Sequence, residues 1–335
     1  MRNNIVDFIR GMAMTFVVLQ HTISGTVYEY SNSVLFQAIW TIQMPLFIII
    51  SGYITRYSHP ISDIPELCKF VKKRSIAYLL PWFVWTVVVR GLICGQSDFI
   101  NFKHLLWHMD SGYWFLTTIW TISMIFGISE IVSNKLCKSK SMNILSHIVV
   151  SVIGALGIVG VGYFTGMSFF AFKLTLYYLP IYLIGYLYGQ MQDYLISKAK
   201  ADTFITYAIA ISLGIWLTII NRFDFLSSSD NISMIALRFA TSILGCISII
   251  GLFISICKKR KFKLINWIGV HSLEIYLTNY LFLNLVPILP FPTLLSMHGA
   301  CSIFINFILT LSITIITIKV LIQNKILNYL LYAKK

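Results

Sequence analysis

Arg10 and His21 stand eleven residues apart in an otherwise apolar stretch, IVDFIRGMAMTFVVLQHTISG. At 100° per residue, eleven steps come to three turns plus about 20°, so the two side chains share one helix face. The rise separates them by roughly 16 Å along the axis, about half of a bilayer's hydrocarbon core. Ionisable groups on a membrane helix are costly there and mark a pathway or a reaction site. An imidazole can take a proton from a hydroxyl or carry an acyl group itself. A guanidinium can hold a phosphate or stabilise developing negative charge. Taken singly, Arg10 could snorkel to the interface and His21 could be a satisfied interior group; their alignment sets the pair apart. Asp7, three residues before Arg10, can pair with it on one face, and an Asp near a helix start also suits the helix dipole.

Other groups carry weaker signals. The segment from Arg56 to Arg74 ends KFVKKRSIAYLLPW, placing Lys69, Lys72, Lys73 and Arg74 at the mouth of the next apolar run. Such a cluster suits the phosphates of a nucleotide-like cofactor, with ordinary positive-inside charge as the alternative. The run ICKKRKFKL is assigned to topology and anionic lipid. Further on, WIGVHSLEIYLTNY places His271, Glu274 and Thr278 on one face, with Tyr276 and Asn279 nearby. A buried Glu beside a His could share its proton, or the group could clasp two helices. Arg90, Lys173 and Arg238 lie in or beside the outer halves of three apolar runs. The loop HLLWHMDSGYWF adds Trp107 and Trp114, whose rings could stack on sugars or form an interfacial belt. His104 and His108 match a metal spacing, but no third ligand is placed, so no metal is assigned. Glu130 and His147 read as interfacial. Pro45 and Ser51-Gly52 predict a kink or a close approach. Gly154, Gly157 and Gly160 predict close helix packing.

The elements that must position these groups are membrane helices. Apolar residues make up 57% of the 335 and charged ones 11%, and mean hydropathy is +0.79. These values lie outside the range of soluble domains. An all-α integral membrane protein is therefore expected: a bundle of about ten transmembrane helices near 9–27, 34–54, 75–94, 113–133, 144–163, 171–190, 203–221, 234–256, 267–286 and 300–323. With both termini cytoplasmic, nineteen of the 26 basic residues fall in cytoplasmic segments, and only Lys103 and Arg222 in outer loops. That asymmetry is the positive-inside pattern. The cytoplasmic set is Arg2, the Arg56–Arg74 group, Lys135, Lys138, Lys140, Lys198, Lys200, the Lys258–Lys263 run, Lys325, Lys334 and Lys335. The net charge of +14 does not suggest nucleic acid, because it sits in short loops. The six cysteines show no CxxC or paired pattern. No cleavable signal, repeat or appended soluble domain is expected, so residues 1–335 read as a single membrane domain.

Taken in order, these residues resemble the membrane-bound acyltransferase-3 family over essentially the whole chain. The matching pieces are Arg10 and His21 with Asp7 in front; Met44, Pro45, Leu46, Phe47, Ser51, Gly52 and Tyr53; and Lys72, Lys73, Arg74 and Pro81. Trp114, Phe115 and Leu116 follow, and then Ser272–Tyr276. The resemblance implies an O-acyltransferase that draws acyl-CoA from the cytoplasm and modifies surface glycans. It makes Arg10 and His21 the reaction pair, with Asp7 orienting Arg10, and Arg56, Lys69, Lys72, Lys73 and Arg74 the CoA-phosphate site. Many relatives carry a His where this chain has Asn279, so no role carries over to that position. The expectation is an O-acetyltransferase of the bacterial plasma membrane with acetyl-CoA as donor and no metal or prosthetic group. Its acceptor would be a hydroxyl of a surface polysaccharide or of its lipid-linked precursor. Trp107, Trp114, Arg90, Arg238 and Glu274 would hold that acceptor. The alternative is a glycan transporter or flippase, which would call for a repeat and paired broken helices. A membrane sensor is a third reading, disfavoured by the lack of an output domain.

Overall fold

A computed structural model of the chain describes residues 4–168, 171–198, 202–225, 231–259, 262–283, 285, 294 and 296–334. Arg2, Lys200, Arg260, Lys261 and Lys335 of the topology argument lie outside the described residues. The elements are helices: α1 (Asn4–Thr26), α2 (Val34–Ile54), α3 (Ile64–Phe83), α4 (Phe102–Trp107), α5 (Trp114–Leu136), α6 (Lys140–Thr165) and α7 (Phe172–Lys198) come first. They are followed by α8 (Asp202–Arg222), α9 (Ile232–Lys259), α10 (Lys263–Val270), α11 (Ser272–Thr278), α12 (Met297–Leu321) and α13 (Lys325–Tyr332). Among the described residues, six helical stretches are long and apolar enough to cross a membrane: Val34–Tyr57, Ile64–Ile93, Trp114–Leu136, Lys140–Thr165, Ile232–Cys257 and Met297–Leu321. They coincide with six of the ten expected spans, and a shorter apolar helix, Thr206–Arg222, falls at a seventh.

The chain divides into two compact units, Met1–Ile50 with Met191–Val320, and Ser51–Gln190 with Leu321–Lys335. In the first, α1 is the central element and α10 lies against it backbone to backbone. A Cβ at Gly11 would fall onto the carbonyl of Ile265, and one at Gly269 onto the carbonyl of Asp7. Glycine is what allows this approach. The expected continuous span over 267–286 is interrupted: α10 ends at Val270, His271 leaves helical geometry (φ −103°, ψ 24°), and α11 starts at Ser272. A turn of 3-10 helix, Asn279–Phe282, completes the segment. The break follows directly on the glycine contact and puts Glu274 in the first turn of α11, where a carboxylate suits the helix dipole.

In the second unit, α3 starts eleven residues before the expected span. Asp63 Oδ1 accepts from the Glu66 amide at 2.7 Å, and Glu66 Oε2 accepts from the Ser62 amide at 2.8 Å. This paired cap, with Pro65 in the first turn, nucleates the helix early. The basic residues from Lys69 to Arg74 thus sit on a helix and not in a loop. The helix continues as a π-helix over Val84–Ile93, the wide geometry often found at functional positions. Close approach at Gly52 is borne out: a Cβ there would meet the Tyr182 carbonyl of α7. Close packing at Gly157 and Gly160 is not, since nothing among the described residues lies within 4 Å of a Cβ at either. The tail forms α13, whose Tyr332 is 1% exposed. Trp85 Nε1 donates to the Leu331 carbonyl at 2.9 Å. The Trp85 ring also meets Tyr332 at 6.2 Å and Tyr113 at 6.1 Å.

Candidate functional site

Asp7, Arg10 and His21 all lie on the uninterrupted helix α1, so the shared face of Arg10 and His21 holds. Asp7 is buried, and its carbonyl abuts Gly269. The His21 ring packs on Tyr280, with centroids 4.7 Å apart and a tilt of 54°. Beside it, Gln20 Oε1 accepts from Gln43 Nε2 at 3.3 Å. These contacts place the segment from α10 through the 3-10 turn alongside α1 and parallel to it, with Gly269 near Asp7 at one end and Tyr280 at His21 at the other. Glu274 and His271 lie between. Glu274 is 0% exposed and its Oε1 is 2.8 Å from His271 Nδ1. A carboxylate so buried needs such a partner, and the pair can hold or pass one proton. The Trp267 ring packs on His271 at 4.3 Å with a tilt of 33°, and Lys319 Nζ stands 5.8 Å from the Trp267 ring.

Sequence reading missed the polar face of α12. Ser302, Asn306, Thr310 and Thr314 recur every fourth residue and are all buried. Asn306 Nδ2 donates to Thr26 Oγ1 of α1 at 3.4 Å, and Thr310 donates to the Phe282 carbonyl at 2.9 Å. Elsewhere in this unit Thr15, Thr22, Thr241, Ser248 and Ser302 each donate to the carbonyl four residues back. Thr314 Oγ1 does not; it and Asn279 Oδ1 are buried without a hydrogen-bond partner among the described residues. The four-residue spacing was the available signal. It passed unseen because each polar residue is separated from the next by three largely apolar ones.

The expected CoA-phosphate residues belong to the second unit. The Arg56 guanidinium lies 5.3 Å from the Tyr57 ring. Arg74 turns to its own helix, donating to Tyr78 Oη at 3.2 Å and covering Phe70 at 5.2 Å. Lys69, Lys72 and Lys73 are exposed. None of the four α3 residues lines the cavity of about 470 Å³ that opens in this unit, whose walls include Thr55, Phe126, Glu130, Lys138, Lys140 and Tyr186. His147, expected at an interface, is instead 1% exposed. Its ring is held between Phe126 and Tyr186, at 4.5 and 4.8 Å. Stacking within this aromatic group, invisible to a single-sequence reading, drew it inward.

The expected acceptor residues divide between the units: Arg238 and Glu274 belong to the first, Arg90, Trp107 and Trp114 to the second. Arg90, in the π-helix, donates to Gln96 Oε1 at 3.0 Å and covers Phe99 at 4.5 Å and Tyr113 at 5.9 Å. Gly112 passes close to this guanidinium in a left-handed turn (φ 63°) that a side chain would strain. Trp114 stacks on Tyr178 at 5.7 Å, and Trp107 lies 5.5 Å from Lys103 Nζ. The His104 and His108 rings meet at a tilt of 40°, with centroids 4.4 Å apart.

The sequence matches the family model described as an acyltransferase domain, acyltransferase 3, over residues 3–320. It is 23% identical over 229 residues to the nodulation protein NolL of Sinorhizobium fredii, covering 63% of this chain and 54% of that protein. It is 25% identical over 193 residues to the nodulation protein NolL of Mesorhizobium japonicum, covering 55% of this chain and 47% of the relative. The matched region thus spans about half the length of these curated relatives. No solved structure matches.

Proposed function

The chain belongs to the acyltransferase 3 family, and from that premise we propose that it is a membrane O-acetyltransferase. In this reading it moves an acetyl group from cytoplasmic acetyl-CoA to a hydroxyl of a bacterial surface polysaccharide or of its lipid-linked precursor. Residues 1–335 act as one domain in the plasma membrane, with about ten spans and the basic segments facing the cytoplasm. The observation that carries the reading is the α1 face: Arg10 and His21 about 16 Å apart along one helix, with His21 against Tyr280 and the broken α10–α11 segment beside it. Irregular backbone within a membrane bundle is tolerated where it is enclosed by protein or lines a cavity.

The reaction divides between the two groups. The His21 imidazole accepts the proton of the acceptor hydroxyl as that oxygen attacks the thioester carbonyl. The tetrahedral intermediate collapses, the C–S bond breaks, and the imidazolium returns the proton to the departing thiolate of CoA. Arg10 sits too far along the axis to serve the same atom, so its planar fork holds the donor's phosphate or pantetheine arm, oriented by Asp7. Arg56, Lys69, Lys72, Lys73 and Arg74 draw the CoA phosphates to the cytoplasmic mouth. Arg90, Trp107, Trp114, Arg238 and Glu274 serve the acceptor: stacking surfaces for sugar rings, cations for a lipid diphosphate, and a carboxylate for hydroxyls. Purified protein incubated with radiolabelled acetyl-CoA and a lipid-linked glycan extract of the source cells is expected to give alkali-labile labelled glycan. Glycan flipping without labelling would favour transport.

A further inference from the structure

The cavity of about 470 Å³ in the second unit has a size typical of small-molecule sites, and the residues so far assigned to the donor do not line it. One rim is the start of α6. Its N-cap, Ser139, makes no side-chain cap, so the first-turn amides lack the usual acceptor. Lys138 and Lys140 flank those amides and line the cavity. Two ammonium groups beside a helix N-terminus without a side-chain cap suit a phosphate. Deeper in, Phe126 and Tyr186 form an aromatic wall braced from behind by His147. Between wall and rim stand Glu130, whose Oε1 accepts from the Ile61 amide at 3.3 Å, and Asn143, whose Nδ2 donates to Asn134 Oδ1 at 2.8 Å. The set combines two ammonium groups at a helix start, an aromatic corner in which Phe126 and Tyr186 meet edge to face at 5.5 Å, and side-chain acceptors suited to an amino group or hydroxyls. A purine nucleotide carrying a phosphate on its ribose has a part for each of the three.

We propose that this cavity holds the adenosine 3′-phosphate end of the acyl-CoA donor, an inference that rests on the acyl-CoA reading above. Lys138, Lys140 and the α6 N-terminus bind the 3′-phosphate. The purine lies against Phe126 and Tyr186, and Glu130 accepts from its exocyclic amine. The basic residues of α3, which do not reach the cavity, are left for the pyrophosphate.

Two measurements test this. The first compares kcat/KM for acetyl-CoA and for S-acetylpantetheine, which lacks the nucleotide. Lys138→Ala/Lys140→Ala is expected to cut the preference for acetyl-CoA at least tenfold; an unchanged preference overturns the proposal. The second uses the unaltered protein and Cys137, which also lines the cavity. Adenosine 3′,5′-bisphosphate should slow N-ethylmaleimide modification of Cys137, read by peptide mass spectrometry, at least fivefold and leave the exposed Cys94 unaffected. Equal modification of Cys137 with and without the bisphosphate overturns it. If the wild-type protein turns over neither thioester, the acyltransferase reading fails, and protection of Cys137 still decides whether a nucleotide binds here.

Discussion

Asking His21 to accept the hydroxyl proton makes its removal the sharpest single-residue test of the chemistry. His21→Ala is expected to lower acetyl transfer by about 10²–10⁴-fold, the usual share of general-base catalysis, with the protein still folded in the membrane. Arg10→Lys keeps the charge and loses the planar fork, so its kcat/KM for acetyl-CoA should fall about tenfold or more. Their shared helix face was legible in the sequence because it is a spacing on one helix. Thr314, Asn279 and His147 were not. The orphaned oxygens of the first two and the aromatic enclosure of the third depend on neighbours far away in the chain. Thr314 also makes a discriminating variant. If its hydroxyl serves the acceptor, Thr314→Val should raise acceptor KM and leave acetyl-CoA KM within about twofold. If the hydroxyl is only an unsatisfied buried group, the same change should raise thermal stability and leave both KM values alone.

Among the elements, the α1–α10 pair depends on two glycines whose hydrogens face carbonyl oxygens. Gly269→Ala must push α10 off α1, and overpacking of this kind costs about 1–3 kcal/mol. A lowered detergent melting temperature is expected, together with reduced transfer, because α11 and Tyr280 move with α10. Retained stability and activity would mean that the contact does not position His21. The helical character of these segments followed from apolar runs of sufficient length. Where one element ends and the next begins did not. The early start of α3 was written locally in Asp63, Pro65 and Glu66, whereas the break at His271 comes two residues after Gly269, whose contact with Asp7 and Gly11 no local pattern records. The glycine series in α6 misled for the same reason. Small residues permit a close neighbour and do not supply one, and only Gly154 and Gly162 of that helix meet a side chain.

For the whole molecule, the membrane class was evident from composition, and the basic-residue asymmetry gave a topology that labelling can check. Single cysteines placed at Ser31, Gln96 or Thr165 should react with an impermeant reagent from outside, and those at Ser62 or Ser139 should not. Labelling at Ser139 from outside would put Lys138 and Lys140 on the side without CoA. A probe at Lys334 tests the C-terminus separately. Tyr332 packs with Trp85 and Tyr113, whereas Glu130 and Asn134 bind Ile61 toward the other end of α5. The central claim is acetyl transfer from CoA by the α1 pair, and one measurement reaches it. Wild-type and His21→Ala protein, purified and reconstituted in parallel, are given radiolabelled acetyl-CoA and the lipid-linked glycan extract. The account predicts alkali-labile acetyl on the glycan with wild type and almost none with the variant. Equal labelling by both, or none by the wild type, would contradict it.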